Sequence, residues 1–389
     1  MATKEESLLY LLEEIAAEQN YENPNILVKA VCSGGANYTS KIYKAVVKAA
    51  NKEDLYLFAK CAMLGIVFRS KVPILIYDTE QYAYDTLVKL YDNIQDQCEL
   101  PAEQRISFCR CYGFRPDRYE EILVLEDLEV RGYGSYDRFK SLDWQYSSAA
   151  ITELAKLHAL SFALKQYFPR EFDEALYKIK VVYEENSDII MDKPIESALR
   201  TVRSEYKETL AVFLEKHRKD MYLSALRSVR STVIVHGDFR PNNLMHKMRE
   251  DGTVDIKIVD LQTLQGGSPV TDLIYFIFTG SDEKFRAQYF DKLLDHYYTE
   301  LSAAMKRLQL NPDEVFSRAD FDYEMKEKLP FGLTLAVFTL PVITVEMENA
   351  PQVDESLDIS KFNVEKTSDL YAERLNGVVN DYVKWGILK

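Results

Sequence analysis

The chain has 389 residues, enough for two or three domain-sized units around a large buried core. With 47% hydrophobic and 28% charged residues it is composed like an ordinary soluble globular protein. Its formal charge of −14, from 48 basic against 62 acidic side chains, repels phosphate backbones and anionic lipid. Nucleic-acid and membrane-surface roles therefore fall behind a role with neutral or cationic small molecules.

Met1 to Glu18 is acidic and amphipathic, a helical pattern without the basic n-region and long apolar core of a signal peptide. No run of about 18 uncharged apolar residues occurs, so no membrane span is expected. The five cysteines, at 32, 61, 98, 109 and 111, are odd in number and have no zinc-ligand spacing. Free thiols and a cytoplasmic location follow as expectations.

Val28 to Cys32 and Ile42 to Val47 read as a hairpin over the loop Ser33-Gly34-Gly35-Ala36-Asn37-Tyr38. Leu55 to Lys60 is a third strand. A helix begins near Ile76 and carries Glu80, Tyr84, Leu87 and Leu90 at helical spacing, and two strands follow near 106–112 and 121–125. From about 141 the pattern turns to long helices: 146–168, ended by Pro169, then near 195–229, 283–308, 322–348 and 367–384. Pro330 and Pro341 are expected to kink or divide the fourth of these. A strand-rich first third and a helix-rich remainder predict an α+β protein of two lobes, 1–125 and 130–389, joined by a hinge at 126–129.

Residues 231–262 carry the chemistry. The apolar run Thr232-Val233-Ile234-Val235 predicts a buried strand ending at His236-Gly237-Asp238, and Asn243 follows five residues after Asp238. Asp251-Gly252 is a turn signal, and the return stretch alternates Val254, Ile256 and Ile258 up to Asp260. A two-residue turn at 251 and 252 would set Asn243 directly opposite Asp260, whereas a four-residue loop over 249–252 would shift the register by two and keep one face. Two oxygen donors beside a free carboxylate suit phosphoryl transfer: Asp238 as base, Asn243 and Asp260 on magnesium, His236 as a brace for the loop. The same segments also admit a purely structural reading as two strand ends.

His236-Gly237-Asp238-Phe239-Arg240-Pro241-Asn242-Asn243 with Asp260-Leu261-Gln262 resembles the catalytic core of aminoglycoside-phosphotransferase-like kinases, and within them the ecdysteroid kinase-like (choline-kinase-like) family. The resemblance runs from residue 35 to residue 276. It includes Gly35-x-Asn37-Tyr38-x-Ser40, Leu57 to Lys60, Glu80 with Tyr84, Leu123 to Leu128, and Gly267-Ser268-Pro269 with Asp272, Leu273, Tyr275 and Phe276. It implies a protein-kinase-like fold, with a small antiparallel-sheet lobe bearing one helix and a larger, mainly helical lobe holding a catalytic hairpin. It implies ATP and Mg2+ as cofactors and a small-molecule hydroxyl acceptor, with no nucleic acid and no membrane. Lys60 would contact the α/β-phosphates and pair with Glu80. Gly34, Gly35 and Asn37 would cover the phosphates, and backbone near Glu126 to Leu128 would bind adenine.

Taken alone, Lys60 also reads as a strand-end surface lysine, Glu80 as a solvated helix residue and the glycine loop as an ordinary hairpin turn. Asp272 suits a helix cap or a brace for the catalytic loop. His158 suits the helical core, and His217, His246 and His296 lack identifiable partners. Arg240, two residues beyond the base, suits either the γ-phosphate or solvent. The activity implied is a kinase for a steroid or other alcohol. The rival readings are a kinase for choline, ethanolamine or another amino alcohol, and a nucleotide-binding or ligand-binding pseudokinase.

Overall fold

The computed structural model describes residues 3–31, 38–71, 75–179, 188–217, 229–350, 364 and 366–389. Helix α1 (Lys4–Glu18) starts at a reciprocal cap in which Thr3 accepts from the Glu6 amide and Glu6 accepts from the Thr3 amide. Strands β1 (Asn25–Val31), β2 (Ser40–Ala49) and β3 (Lys52–Ala62) follow. After α2 (Ile66–Lys71), α3 (Ile76–Tyr82), a π-helical stretch (Ala83–Leu87) and α4 (Val88–Gln97), the chain returns as β4 (Cys111–Arg115) and β5 (Ile122–Glu126). The five strands form one antiparallel sheet in the order β1-β2-β3-β5-β4.

Alternation along β3 decides what each face of the sheet does. Leu57, Ala59 and Cys61 pack with Tyr43, Ala45 and Val47 of β2 under Leu8, Leu11, Leu12 and Ile15 of α1. Lys60, between Ala59 and Cys61, therefore points to the opposite face. The segment expected as a strand at 106–112 joins the sheet only from Cys111. Ile106 is held instead by the Gln95 side chain, which accepts from its amide (2.8 Å) and donates to its carbonyl (3.2 Å), so it is unavailable to a ladder.

The remainder is mainly helical. A short β6 (Gly134–Ser135) precedes α5 (Trp144–Tyr167), and Pro169 both closes that helix and begins α6 (Pro169–Lys178). Next come α7 (Asp188–Thr201), α8 (Lys207–His217), β7 (Val233–Val235), β8 (Leu244–Met248), β9 (Val254–Ile258) and β10 (Gln265–Gly267). Helices α9 (Pro269–Gly280), α10 (Glu283–Arg307), α11 (Pro312–Val315), α12 (Arg318–Lys328), α13 (Pro330–Phe338), α14 (Leu340–Thr344) and α15 (Asp369–Lys384) complete the chain. Pro330 and Pro341 do divide the stretch expected at 322–348. Every residue of α9 is buried, and α5 packs lengthwise on α10, with Trp144 against Tyr289, Thr152 against His296 and His158 against Tyr297. The architecture is thus α+β, an antiparallel sheet followed by a helical region that contains the β8–β9 hairpin. Among the described residues no helix is long and apolar enough to cross a membrane.

Candidate active site

Lys60 leaves the sheet on the face away from α1 and meets two carboxylates. Its Nζ lies 2.8 and 2.6 Å from the two oxygens of Glu80, on α3, and 2.6 Å from Oδ1 of Asp260. Lys60 and Glu80 are both buried, and Asp260 is largely so. Burial opposes charge on Lys60, but Asp260 and Glu80 outweigh it and hold the ammonium above the ordinary lysine range. Burial pushes the Glu80 carboxyl up, against the attraction of Lys60. For Asp260 burial also pushes upward, but Lys60, Arg240 and His236 outweigh it and hold the carboxyl below its usual value.

The second half is the loop after β7. Gly237 adopts φ +80°, and a Cβ there would collide with the Thr263 carbonyl, so the tight turn after His236 needs glycine. Asp272, in the first turns of α9, accepts from the amides of His236 (2.6 Å) and Gly237 (2.9 Å). His158 of α5 donates to Asp272 through Nε2 (3.1 Å), and its Nδ1 lies 2.7 Å from the Tyr297 hydroxyl. Asp272 is thus the brace for the loop rather than a cap. His236 Nδ1 accepts from the Asp238 amide (3.3 Å), so its Nε2 carries the proton donated to the Val259 carbonyl (3.0 Å). The imidazole ties the loop to the end of β9.

Asp238 Oδ2 receives the Asn243 amide at 3.0 Å and the Arg240 Nε at 3.1 Å, and Asn243 Nδ2 also donates to the Asp238 carbonyl at 2.9 Å. Arg240 is not turned to solvent; it is paired with Asp238. Burial disfavours the guanidinium charge, and Asp238 leads the groups that more than restore it.

The hairpin differs from both expected registers. Arg249 pairs with Thr253 across a three-residue loop in which Gly252 has φ +81°, and the ladder runs Leu244↔Ile258 to Met248↔Val254. Asn243 consequently stands opposite Val259, whose amide donates to the Asn243 carbonyl at 3.0 Å, not opposite Asp260. A one-residue shift would turn Asp260 to the other face. Asp260 is left-handed, with φ 65° and ψ 56°, and this local departure re-aims its carboxylate toward Lys60. Gln262 completes the corner, donating to Asp260 Oδ2 at 3.2 Å and accepting from Thr39 at 3.1 Å.

The structure therefore brings together Lys60, Glu80 and Asp260 in one group and Asp238, Asn243 and Arg240 in the next. Glu126 ends β5, where its carboxylate takes Arg131 (2.8 Å) and the Arg110 amide (3.0 Å), and Leu128 opens a one-turn 3-10 helix. Gly34, Gly35 and Asn37 lie outside the described residues, as does Cys32. Cys61, Cys98, Cys109 and Cys111 are free thiols. His296 has partners after all, in Thr152 and the Ser148 carbonyl, and His246 packs edge-on to Tyr146. Sequence reasoning missed the Asp238–Arg240 pair, Gln262, and the reach of His158 and Tyr297 to Asp272. Their spacing carries no signal, because the partners are more than a hundred residues apart or depend on one loop's path.

The donor set suits a magnesium ion. Asn243 spends its NH2 on Asp238, which leaves Oδ1 as the donor atom for a cation, and Asp260 is held anionic. Among the described residues no group of three or more His, Cys, Asp or Glu forms a metal cage, so a cation here would rely on phosphate and water for its other ligands, as magnesium does.

Sheet, loop and hairpin together have the layout of a kinase-like fold. The model of the ecdysteroid kinase-like family matches residues 34–310, and the chain belongs to that family. No curated protein matches it. Among solved structures, a mutant aminoglycoside 2′-phosphotransferase-IIIa in complex with GDP aligns over 98% of this chain and 99% of that one, at 10% identity and TM-score 0.49. An aminoglycoside phosphotransferase from Streptomyces rimosus, with ADP and streptomycin, aligns over 84% and 98% at 13% identity and TM-score 0.34. A glucosamine kinase with glucosamine, ADP and inorganic phosphate aligns over 84% and 77% at 13% identity and TM-score 0.37.

Proposed function

We propose that this chain is a kinase that transfers the γ-phosphate of ATP to a hydroxyl of a small organic acceptor, a steroid alcohol or a related alcohol. The observation that carries the reading is the meeting of Lys60, Glu80 and Asp260 from three distant segments, next to a loop that fixes Asp238 and Asn243. In this reading residues 1–125 are the nucleotide lobe, 126–129 the hinge, and 130–389 the catalytic and acceptor lobe.

Lys60, held extended by Glu80, steadies the α/β-phosphates. Asn243 Oδ1 and the Asp260 carboxylate are the magnesium ligands, and the ion, when bound, neutralises charge on the transferring phosphoryl group. Asp238 orients the acceptor hydroxyl and takes its proton as the oxygen attacks, while Asn243 and Arg240 hold the carboxylate in place. Leu128 begins a helical turn, so its amide has no acceptor within that turn and suits adenine. Gly34, Gly35 and Asn37 would cover the phosphates.

The test is incubation with Mg-ATP and a panel of hydroxylated steroids, amino alcohols and sugars, with products read by mass spectrometry. Phosphorylated product is expected from the wild type and a loss of about 10²–10⁴-fold in rate from Asp238→Asn. ATP bound without turnover on any acceptor would instead identify a nucleotide-binding protein.

A further inference from the structure

Asp260 is held at both oxygens. Oδ1 faces Lys60, and Oδ2 accepts from Nε2 of Gln262 at 3.2 Å. An ionised carboxylate only accepts, so the Gln262 amide nitrogen must face it. The amide oxygen is left for Thr39, whose hydroxyl donates at 3.1 Å. Gln262 is buried, and the two ends of its amide are spent on partners of opposite polarity. A side chain tied in this way has one orientation.

Both anchors of that amide are themselves fixed. Thr39 directly precedes β2, and its carbonyl accepts from the Met63 amide just beyond β3 at 3.0 Å and from the Tyr77 hydroxyl of α3. The Tyr77 oxygen in turn receives the Met63 and Leu64 amides, each at 3.3 Å. Lys60 and Glu80 sit on the same two elements, β3 and α3, so Thr39 is in register with the ion pair. On the other side, Gln262 lies in the single turn Leu261–Thr263, and the Thr263 hydroxyl donates to the His236 carbonyl at 2.9 Å. The amide thus spans from the sheet to the loop that carries Asp238.

The chemical type at 262 matters as much as its place. In the kinase reading Lys60 serves the phosphates, which releases Oδ1 of Asp260. Gln262 is then the hold that remains on the carboxylate. A neutral amide orients it without cancelling the negative charge that a cation needs, as an arginine or lysine at 262 would. Magnesium demands near-octahedral ligands, so a carboxylate free to rotate binds it less well.

We propose that Gln262, anchored by Thr39, is a positioning residue that presents Asp260 to magnesium, so that cation affinity depends on a contact between the start of β2 and the turn after β9. This rests on the kinase reading above and deepens it. Gln262 acts through Asp260 and not on the reacting atoms.

The experiment uses electron paramagnetic resonance to read Mn2+ bound to the ADP-loaded protein, and calorimetry to read ADP binding in EDTA. Gln262→Leu is expected to weaken Mn2+ binding about 10- to 100-fold, the usual loss when a metal ligand's outer partner is removed, with ADP binding in EDTA little changed. Thr39→Val should weaken Mn2+ binding in the same direction, whereas Thr39→Ser should not. The double variant Thr39→Val/Gln262→Leu should lose no more than Gln262→Leu alone, because both changes break one chain of contacts. In turnover, KM for Mg2+ should rise while kcat at saturating Mg2+ stays near wild type. Thr39→Val, nearly isosteric, carries the test where Gln262→Leu fails to fold. No Mn2+ binding by the wild type, unchanged Mn2+ affinity in either variant, losses that add in the double variant, or an equal loss of ADP binding with and without metal overturns the proposal. The expected Mn2+ pattern with no phosphorylated product on any acceptor would count against the kinase reading and leave the positioning role standing.

Discussion

At the scale of single residues, one ammonium serves two carboxylates. Removing Lys60 leaves Glu80 and Asp260 facing each other without a counterion, and breaking such a pair costs about 3–5 kcal/mol. Lys60→Met should therefore lower the unfolding free energy measured in urea at neutral pH by that amount. The deficit should shrink toward pH 5, because Glu80, already shifted upward by burial, then takes a proton and removes the repulsion. A deficit independent of pH would rule this electrostatic account out. Asp260 has the opposite sign. Its folded-state pKa is depressed, so its contribution is complete above the unfolded value near about 3.9 and is lost as pH falls through the folded value. Urea midpoints followed below about pH 4 should fall less steeply in Asp260→Asn than in the wild type.

At the scale of elements, two glycines with nearly the same φ should respond differently. Gly252 closes the β8–β9 loop with nothing near its missing Cβ, so Gly252→Ala meets only the backbone penalty of about 1 kcal/mol, and Gly252→Asn less. Gly237 has the same conformation but abuts the Thr263 carbonyl, so Gly237→Ala must also move the loop that carries Asp238. Thermal unfolding should show a small loss for the first and a large one for the second, with activity lost only in the second. Asp272→Ala belongs beside it. It strands two buried amides and His158 at once, at about 1–3 kcal/mol for each donor left unsatisfied, and should loosen the loop that carries Asp238. The hairpin also shows where sequence reading reached its limit. Asp251-Gly252 correctly marked a turn, but a dipeptide does not distinguish a two-residue turn from a three-residue loop ending in left-handed glycine. That single residue changed the partner of Asn243. The αL conformation of Asp260, which compensates, has no compositional signature because only tertiary contacts sustain it. Gly237 and the five-residue spacing from Asp238 to Asn243 were legible, since local sterics govern them.

At the scale of the whole molecule, the α+β order of elements could be read from hydrophobic period alone: period two through β2 and β3, helical period through α5 and α10. What could not be read was how the sheet and the helical region meet, because that depends on pairs such as Lys60 with Asp260 and Thr39 with Gln262, roughly two hundred residues apart. These pairs also imply a thermodynamic coupling. α3 packs against the turn Leu261–Thr263 that follows Asp260, so a ligand gripping Lys60 and Asp260 together fastens the sheet to the helical region. If Mg-ATP is that ligand, a concentration of about 100 times its Kd adds about 2.7 kcal/mol to stability and raises the midpoint by a few degrees. ATP with EDTA should give a smaller shift, since Asn243 and Asp260 would then contribute nothing through a cation. Asp260→Asn should abolish the difference between the two conditions, while Asp238→Asn, which in the proposed reading alters the base and not the nucleotide contacts, should preserve it. Identical shifts with and without magnesium in the wild type would remove Asn243 and Asp260 from the metal site, whatever the protein's activity.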